Sequence, residues 1–554
     1  MVDPSPPLLC RFLSLPRAFR GGKGAHGSCP DFPIRLLFLL LLTGTPLVAC
    51  ANATPDPEPF PVVEASIRGI QAAIMEGRAT CREVVQAYLD RIEAYDQPSG
   101  LGAISEVNPR ALEVADSLDD ALARGERLGS LFCAPVLVKD NFDTYDLPTT
   151  GGSVALAGSI PQQDAFMVQR IREEGGVILA KTNMAEWAFS PRQTVSSSYG
   201  VTANAYALDR TPAGSSGGTA SGVAASFGVV GLGSDTGNSI RGPSSHLALV
   251  GIRSTLGLTS RMGVVPLAFD RDVAGPMTRS VEDAARVFNV VAGYDRRDPY
   301  TEAGRDRVED DYTSFLDVDG LEGKRIGVLE AFADPAEGDT AVLARFSQAL
   351  EDLREAGAEL VPGFQVPDLE VLLSGGVFCR RFRYDMHQYL QSLGESAPMT
   401  DVLEVLETGA YGADAQGGLN RFAEGPLDVH PADGDPPCPD FHEHEGRQAL
   451  LVAVTAAMDE AQVDAVVFPT WSHPPAPLDR ANEEYRGDNS QGLVPAAGLP
   501  AITVPMGFTY GNLPAGLQIM GRPWSEGLLF QLAYAYEQAT HHRRPPEHFP
   551  PLDR

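Results

Sequence analysis

Basic side chains are scarce in this chain. Its 554 residues hold 43 Lys and Arg against 73 Asp and Glu, a formal net charge of −30 at pH 7. A surface so acidic keeps a protein soluble and repels nucleic acid, so no nucleic-acid partner is expected. Metal-site patterns are missing too. The seven cysteines (Cys10, Cys29, Cys50, Cys81, Cys133, Cys379 and Cys438) make no CxxC pair, and the ten histidines make no HExxH. His442-Glu443-His444 lacks the i, i+4 spacing that puts two imidazoles on one helix face. A structural zinc site is therefore not expected, nor any other cofactor, and His541 and His542 read as solvated members of a basic tail. No GxxxxGKS or GxxxxGKT occurs, which excludes a P-loop. The serine at 239 is preceded by Asn238 and followed by Ile240 and Arg241, so it is not the GxSxG elbow of an α/β-hydrolase.

Long apolar runs are equally rare. One, Leu36 to Leu42, follows Ile34-Arg35 and leads through Thr-Gly-Thr-Pro to Leu47-Val48-Ala49-Cys50. It is too short to span a bilayer comfortably and reads as the apolar core of a signal peptide. The ending LVAC resembles a bacterial lipoprotein box, which implies that Cys50 is lipidated and becomes the mature N-terminus; a plain signal peptide, giving a secreted or periplasmic protein, is the alternative. On this reading residues 1–49 are a removed leader, residues 50–61 an extended tether, and the product an exported cell-envelope lipoprotein that meets the membrane through its lipid alone. Length by itself would allow three or four domains. Yet no linker-like stretch divides residues 62–545, no internal repeat is found, and residues 546–554 are left as a tail.

What the chain does have is a lysine and two serines in unusual surroundings. The segments are APVLVKDNFDT around Lys139, TPAGSSGGTASG (Thr211–Gly222) holding Ser215, and GSDTGNSIRGPSS (Gly233–Ser245) holding Ser239. A serine hydroxyl needs a base before it becomes a nucleophile, and a lysine serves if burial keeps it neutral. Serine-lysine versions of the hydrolase triad are one solution to acyl transfer without histidine. Read alone, GSSGG is a flexible connector, and a lysine at a strand end pairs with Asp140 or Asp143 in solvent. On the residues alone both of these readings stay open. The run Ala134 to Val138 is apolar enough for a central strand and would bury Lys139. Bringing its pKa from about 10.4 to near 7 requires about 4 to 5 kcal/mol of differential solvation.

At these residues the chain resembles the amidase signature family: a GGSSGG-like box, about two dozen residues, a TDTGGSIR-like box, and a strand ending in Lys-Asp. The similarity extends through AKTNMAEWAF (Ala180–Phe189), GIRSTLGLTSRMGVVPL (Gly251–Leu267), AAGLPAITVPMGF and GLQIMGRPWSE, from about residue 60 to 545. The resemblance implies an α/β fold, a single large α/β/α domain with a mixed central sheet flanked by helices. It also implies that Ser239 is the acylated nucleophile, Lys139 the terminal base and Ser215 the proton relay, with a cis Gly214-Ser215 peptide. The backbone N–H groups of Thr236, Gly237, Asn238 and Ser239 would form the oxyanion hole. Asn238 departs from the pattern, which has glycine there. Asn tolerates a left-handed backbone, so the loop is expected to survive, its side chain narrowing the site. Asp235 and Arg241 are expected to pair and brace the loop.

The implied activity is hydrolysis of linear carboxylic amides to acid plus ammonia or amine, with esters as side substrates, a small-molecule amide as partner and a homodimer allowed. Two alternatives stay open: an amidotransferase A-subunit, and a catalytically silent envelope binding protein on the same fold. Local signals fit the fold. Thr80-Cys81-Arg82-Glu83 reads as a capping box before Val84, Val85, Tyr88, Leu89 and Ile92 at helical spacing. Ala465 to Phe468 reads as a buried strand stopped by Pro469, and Ser525 as the cap of a helix carrying Leu528, Leu529, Leu532 and Tyr536. Between about 300 and 460 the family pattern thins, and this variable insertion is expected to shape the substrate entrance.

Overall fold

The chain folds around one large sheet whose middle strands are apolar on both faces. The structure, a computed structural model, describes residues 60–375 and 378–552. The leader, Cys50 and the tether through residue 59 lie outside the described residues. In chain order the strands are β1 (Ile104–Val107), β2 (Pro135–Lys139), β3 (Val177–Thr182), β4 (Val195–Ser196), β5 (Gly200–Val201), β6 (Val230–Asp235), β7 (Val250–Arg253), β8 (Val273–Thr278), β9 (Arg325–Leu329), β10 (Glu359–Phe364), β11 (Ala465–Pro469), β12 (Ala501–Thr509) and β13 (Leu513–Met520). β4 and β5 form a small hairpin, and the other eleven make one sheet in the order β1-β3-β2-β6-β8-β7-β12-β13-β11-β9-β10. The sheet is mixed: β2 runs parallel to β3 and β6, and β9 parallel to β10 and β11, while every other pair is antiparallel.

β2 shows why the site is where it is. Pro135-Val136-Leu137-Val138-Lys139 is buried at all five positions, because it sits between β3 and β6 with helices over both faces, the setting in which a strand is apolar throughout rather than alternating. The helix Gly217–Ala224 packs on one face and is itself buried at every residue. Small side chains there let it lie close to β2, β3 and β6.

The helix Cys81–Ser99 begins with the expected capping box: the Thr80 hydroxyl accepts from the Glu83 N–H, and the Glu83 carboxylate accepts from the Thr80 N–H at 2.8 Å. Val84, Val85, Tyr88 and Ile92 are buried. β11 includes Pro469, which pairs with Leu517 as the last residue of the strand. Ser525 does precede the helix Glu526–Thr540, but it does not cap it. Its hydroxyl donates to Arg522 O at 2.7 Å, so the terminal N–H groups gain nothing from its side chain. His542 is not solvated either: its ring nitrogen is 2.8 Å from Asp352 Oδ2. Beyond it the tail docks on the domain, with Phe549 buried and the Phe549 and Pro550 carbonyls accepting from Arg91.

Residues 300–460 do two things. β9 and β10 complete the far edge of the main sheet, and residues 369–445 carry short helices and loops beside it. Two disulfides, Cys81–Cys133 and Cys379–Cys438, tie segments separated by 52 and 59 residues. The absence of CxxC in the sequence gave no hint of either pairing. Among the described residues no helix is long and apolar enough to cross a membrane.

Candidate active site

Three elements carry the lysine and the serines, and they bring Lys139 directly to Ser215. β2 ends at Lys139, β6 ends at Asp235 and turns through Thr236–Ile240 into the helix Arg241–His246, and the Gly214-Ser215 peptide, which is cis, leads into the helix Gly217–Ala224. Glycine is required at 214, since a Cβ there would sit 2.5 Å from both the Gln193 and Ser190 carbonyl oxygens.

Lys139 is fully buried. Its Nζ lies 2.7 Å from Ser215 Oγ, 2.8 Å from Ser234 Oγ and 3.4 Å from Ser234 O. Burial pulls its pKa down to about 7, against the opposing pull of the Asp272 and Asp235 carboxylates. The two acids that could have claimed it in solvent are engaged elsewhere. Asp140 lies 3.3 Å from the Lys181 ammonium and accepts from Thr150. Asp143 accepts from the Tyr389 hydroxyl at 2.8 Å, and burial pushes its pKa up to about 7.

Ser234 and Asn141 complete the lysine's surroundings. Asn141 Nδ2 donates to Ser234 Oγ at 2.9 Å, so Ser234 accepts from the amide and faces Lys139 with a fixed oxygen. Both residues lie inside the segments that draw attention in the sequence, one in GSDTGNS and one in VKDNFDT. Nothing in their type or spacing marks them as partners of a lysine, and only the fold shows it.

The loop after β6 is held from below. Asp235 accepts from Arg241 Nε at 3.1 Å, Arg253 Nη1 at 3.0 Å and the Ile240 N–H at 3.1 Å. Burial alone would raise its pKa, but the two guanidiniums outweigh it and hold the carboxyl at about 2. The Thr236 hydroxyl donates to Asp272, and Arg271 Nε donates to the Thr236 carbonyl at 2.9 Å. With the loop so fixed, the N–H groups of Thr236, Gly237, Asn238 and Ser239 have no acceptor among the described residues. The next two, at Ile240 and Arg241, are taken by Asp235. Ser239 is 5% exposed, and its hydroxyl makes no hydrogen bond among the described residues.

Asn238 differs from the expectation. Its backbone is not left-handed, so tolerance of that conformation is not why asparagine is accepted. Its side chain is packed over the following helix, where a Cβ on Gly242 would lie 2.7 Å from Asn238 Nδ2. Both amide atoms are buried without a partner among the described residues. The helix can carry this side chain because residue 242 is glycine.

One group of metal-ligand atoms occurs among the described residues, Asp270 with Cys379 and Cys438. The two sulfurs are joined in a disulfide, so they offer no thiolate and the group does not fit a metal. A cavity of about 350 Å³ is lined by core residues such as Arg261 and Phe269 and by Arg381, Tyr384 and Tyr389 from the 300–460 segment; neither the lysine nor the serines line it.

Comparison with known proteins agrees over most of the chain. The family model described as Amidase matches residues 83–530. A probable amidase of Arabidopsis thaliana is 31% identical over 503 residues, covering 88% of this chain and 92% of that one. The glutamyl-tRNA(Gln) amidotransferase A-subunit of Rippkaea orientalis is 33% identical over 504 residues, covering 87% and 99%. The solved structure of native peptide amidase from Stenotrophomonas maltophilia superposes with a TM-score of 0.75 at 34% identity, covering 88% of this chain and 99% of that one.

Proposed function

The chain belongs to the amidase family, and on that premise we propose that it hydrolyses carboxylic amides through an acyl-enzyme on Ser239. The observation that carries this reading is a fully buried lysine whose Nζ is 2.7 Å from Ser215 Oγ. With a pKa near 7, about half of it is neutral at neutral pH and free to take a proton.

In the proposed reaction Ser239 Oγ attacks the substrate carbonyl carbon as its proton passes to Ser215 Oγ and the Ser215 proton passes to Lys139 Nζ. Catalytic hydrogen bonds of this kind tighten on substrate binding, which is when the Ser239–Ser215 contact would form. The carbonyl π bond becomes an oxyanion held by the backbone N–H groups of 236–239, where one donor is worth about 2.7 to 4 kcal/mol. Collapse breaks the C–N bond, and the proton returns from Lys139 through Ser215 to the leaving nitrogen. Water then repeats the attack on the ester of Ser239 and releases the acid. No cofactor takes part.

The partner is a small-molecule amide, primary, aryl or peptidyl. Export as a lipoprotein through Cys50 is proposed from the sequence and supported by the two disulfides, which persist in oxidising compartments. The amidotransferase reading rests on relatives of that name at 33 to 34% identity. It requires tRNA together with other chains of a complex, which a net charge of −30 and two disulfides disfavour. The test is labelling of purified protein with a serine-directed fluorophosphonate, followed by peptide mapping. Stoichiometric modification of Ser239, abolished in Ser239→Ala and much slowed in Lys139→Ala, is expected. A folded protein that is not labelled would point to the silent binding reading.

A further inference from the structure

We propose that Gln491 makes this site select amides over esters, by presenting a fixed acceptor to an N–H of the substrate beside the scissile carbonyl. The inference rests on the Ser239 acyl-enzyme reading and adds a specificity-determining residue that neither the motifs nor the family pattern single out.

Gln491 stands directly over the oxyanion loop. A Cβ on Gly237 would lie 3.1 Å from both Cγ and Oε1 of Gln491, so the glycine is what lets the two approach. Three separate contacts hold it there. Arg271 donates through Nη2 to the Gln491 carbonyl at 2.6 Å and through Nε to the Thr236 carbonyl at 2.9 Å, so one planar guanidinium sets the spacing between the two loops. The side-chain Nε2 donates to the Tyr485 hydroxyl at 3.1 Å and to Asn489 Oδ1 at 3.0 Å. Tyr485 is itself fixed, with the Arg192 guanidinium 4.4 Å from its ring centre and Trp471 edge-on at 5.1 Å.

These bonds use both protons of the carboxamide and leave its oxygen free. An amide nitrogen has two donors and the oxygen only lone pairs; with Nε2 committed to Tyr485 and Asn489, Oε1 accepts nothing among the described residues. A group held this firmly with one unused valence is preorganised for a ligand. The complement of an unpaired acceptor is an N–H. A primary amide, or a secondary amide of suitable geometry, offers one on the atom bonded to the scissile carbon. An ester places an oxygen there, whose lone pairs meet those of Oε1. Sites built to hydrogen-bond a substrate group discriminate strongly against an analogue lacking it, because the protein's own polar atom is then left unpaired.

The test uses matched primary amides, N,N-dimethyl amides and methyl esters in acetyl, benzoyl and N-acetylphenylalanyl series, with wild type, Gln491→Leu and Gln491→Glu. All samples are also titrated with the fluorophosphonate. Wild type is expected to prefer the primary to the dimethyl amide. Gln491→Leu is expected to lower the amide-to-ester ratio of kcat/KM at least tenfold, and Gln491→Glu, which keeps an acceptor oxygen, to retain more of that ratio. An unchanged ratio would overturn the proposal. So would equal losses on amide and ester, the result if Gln491 turned Nε2 toward the oxyanion, and so would a labelled wild type that hydrolyses esters alone. Wild type that takes up no label at Ser239 sinks the acyl-enzyme reading instead, so the two failures are distinguishable.

Discussion

Replacing Lys139 by methionine tests the central chemical claim, because the two side chains are similar in length and only one can hold a proton. With a folded pKa of about 7, the lysine is about one-tenth neutral at pH 6, half at pH 7 and nine-tenths at pH 8. Ser239 labelling should therefore rise with a slope approaching tenfold per pH unit below about pH 6, about fivefold from pH 6 to 7, and level off above about pH 8. An ordinary lysine, with a pKa of about 10.4, would be neutral in about one molecule in 2,500 at pH 7, and the rate would climb past pH 9. The same shift has a stability consequence of definite sign. The folded pKa lies below the unfolded one, so between about 7 and 10.4 the unfolded chain binds the extra proton and stability rises with pH. The burden of the buried lysine, about 4 to 5 kcal/mol, is full below pH 7 and gone above 10.4. Lys139→Met should abolish labelling, and its stability relative to wild type should be greatest at pH 6 and shrink toward pH 10. Stopped-flow labelling from pH 5.5 to 9.5 and urea unfolding at pH 6 and 9 check both arms. A wild-type rate still rising at pH 9, or a variant whose relative stability grows with pH, would refute the reasoning.

Asp235→Asn leaves Arg241 and Arg253 buried without their carboxylate; breaking a buried pair costs about 3 to 5 kcal/mol, so urea midpoints should fall sharply and Ser239 labelling with them. Lys181→Met strands Asp140 in the core. A loss of similar size is expected, reduced as pH falls and Asp140 takes up a proton, which pH-dependent unfolding would show. Replacing Cys379 and Cys438 by serine opens a loop of about 60 residues, worth about 4 kcal/mol by chain entropy; reductant, which also opens the Cys81–Cys133 loop, should destabilise wild type by about twice that amount and the variant by the Cys81–Cys133 share alone. Ser234→Ala removes an oxygen that the ammonium form of Lys139 uses. The midpoint of the pH–rate profile should move below its wild-type position, whereas a merely structural role would lower the rate without moving the midpoint.

The strand that carries Lys139 was legible for a physical reason: it depends on a short local pattern, whereas the mixed sheet and the roles expected of Lys139, Ser215 and Ser239 came from the family resemblance. Ala134–Val138 is apolar without alternation, and a strand of that kind is buried on both faces, which carries Lys139 into the core with it. The chain has four lysines in all, Lys23, Lys139, Lys181 and Lys324, so one at the end of such a strand is conspicuous. Contacts between distant segments were not legible. Asn141, Ser234 and Lys139 meet because β2 and β6 pair in register, and Cys379 reaches Cys438 across a region with weak pattern. Ser525 failed as a cap for a similar reason: propensity names residues able to cap a helix, while the local turn decides whether the hydroxyl bonds forward or back to Arg522.

The two buried lysines show how one sheet supports opposite demands. Val138 is opposite Lys181 and Lys139 opposite Thr182 in the parallel β2–β3 pair, so the two amines leave adjacent strands one residue apart in register. Burial lowers the pKa of both. What separates them is the chemistry each meets at hydrogen-bond range. Lys181 finds a carboxylate at 3.3 Å together with two carbonyls and a hydroxyl, and every one of these favours the ammonium form. Lys139 finds two hydroxyls and a distant carbonyl, oxygens that serve an amine almost as well as an ammonium. The nearest carboxylates, Asp235 and Asp272, are tied to arginines and to Thr236 instead. Moving a carboxylate next to Lys139, as in Ser234→Asp, should raise its pKa toward the ordinary value and extinguish Ser239 labelling at pH 7 while restoring part of it at pH 10. A variant still labelled at the wild-type rate at pH 7 would mean that Lys139 is not the base.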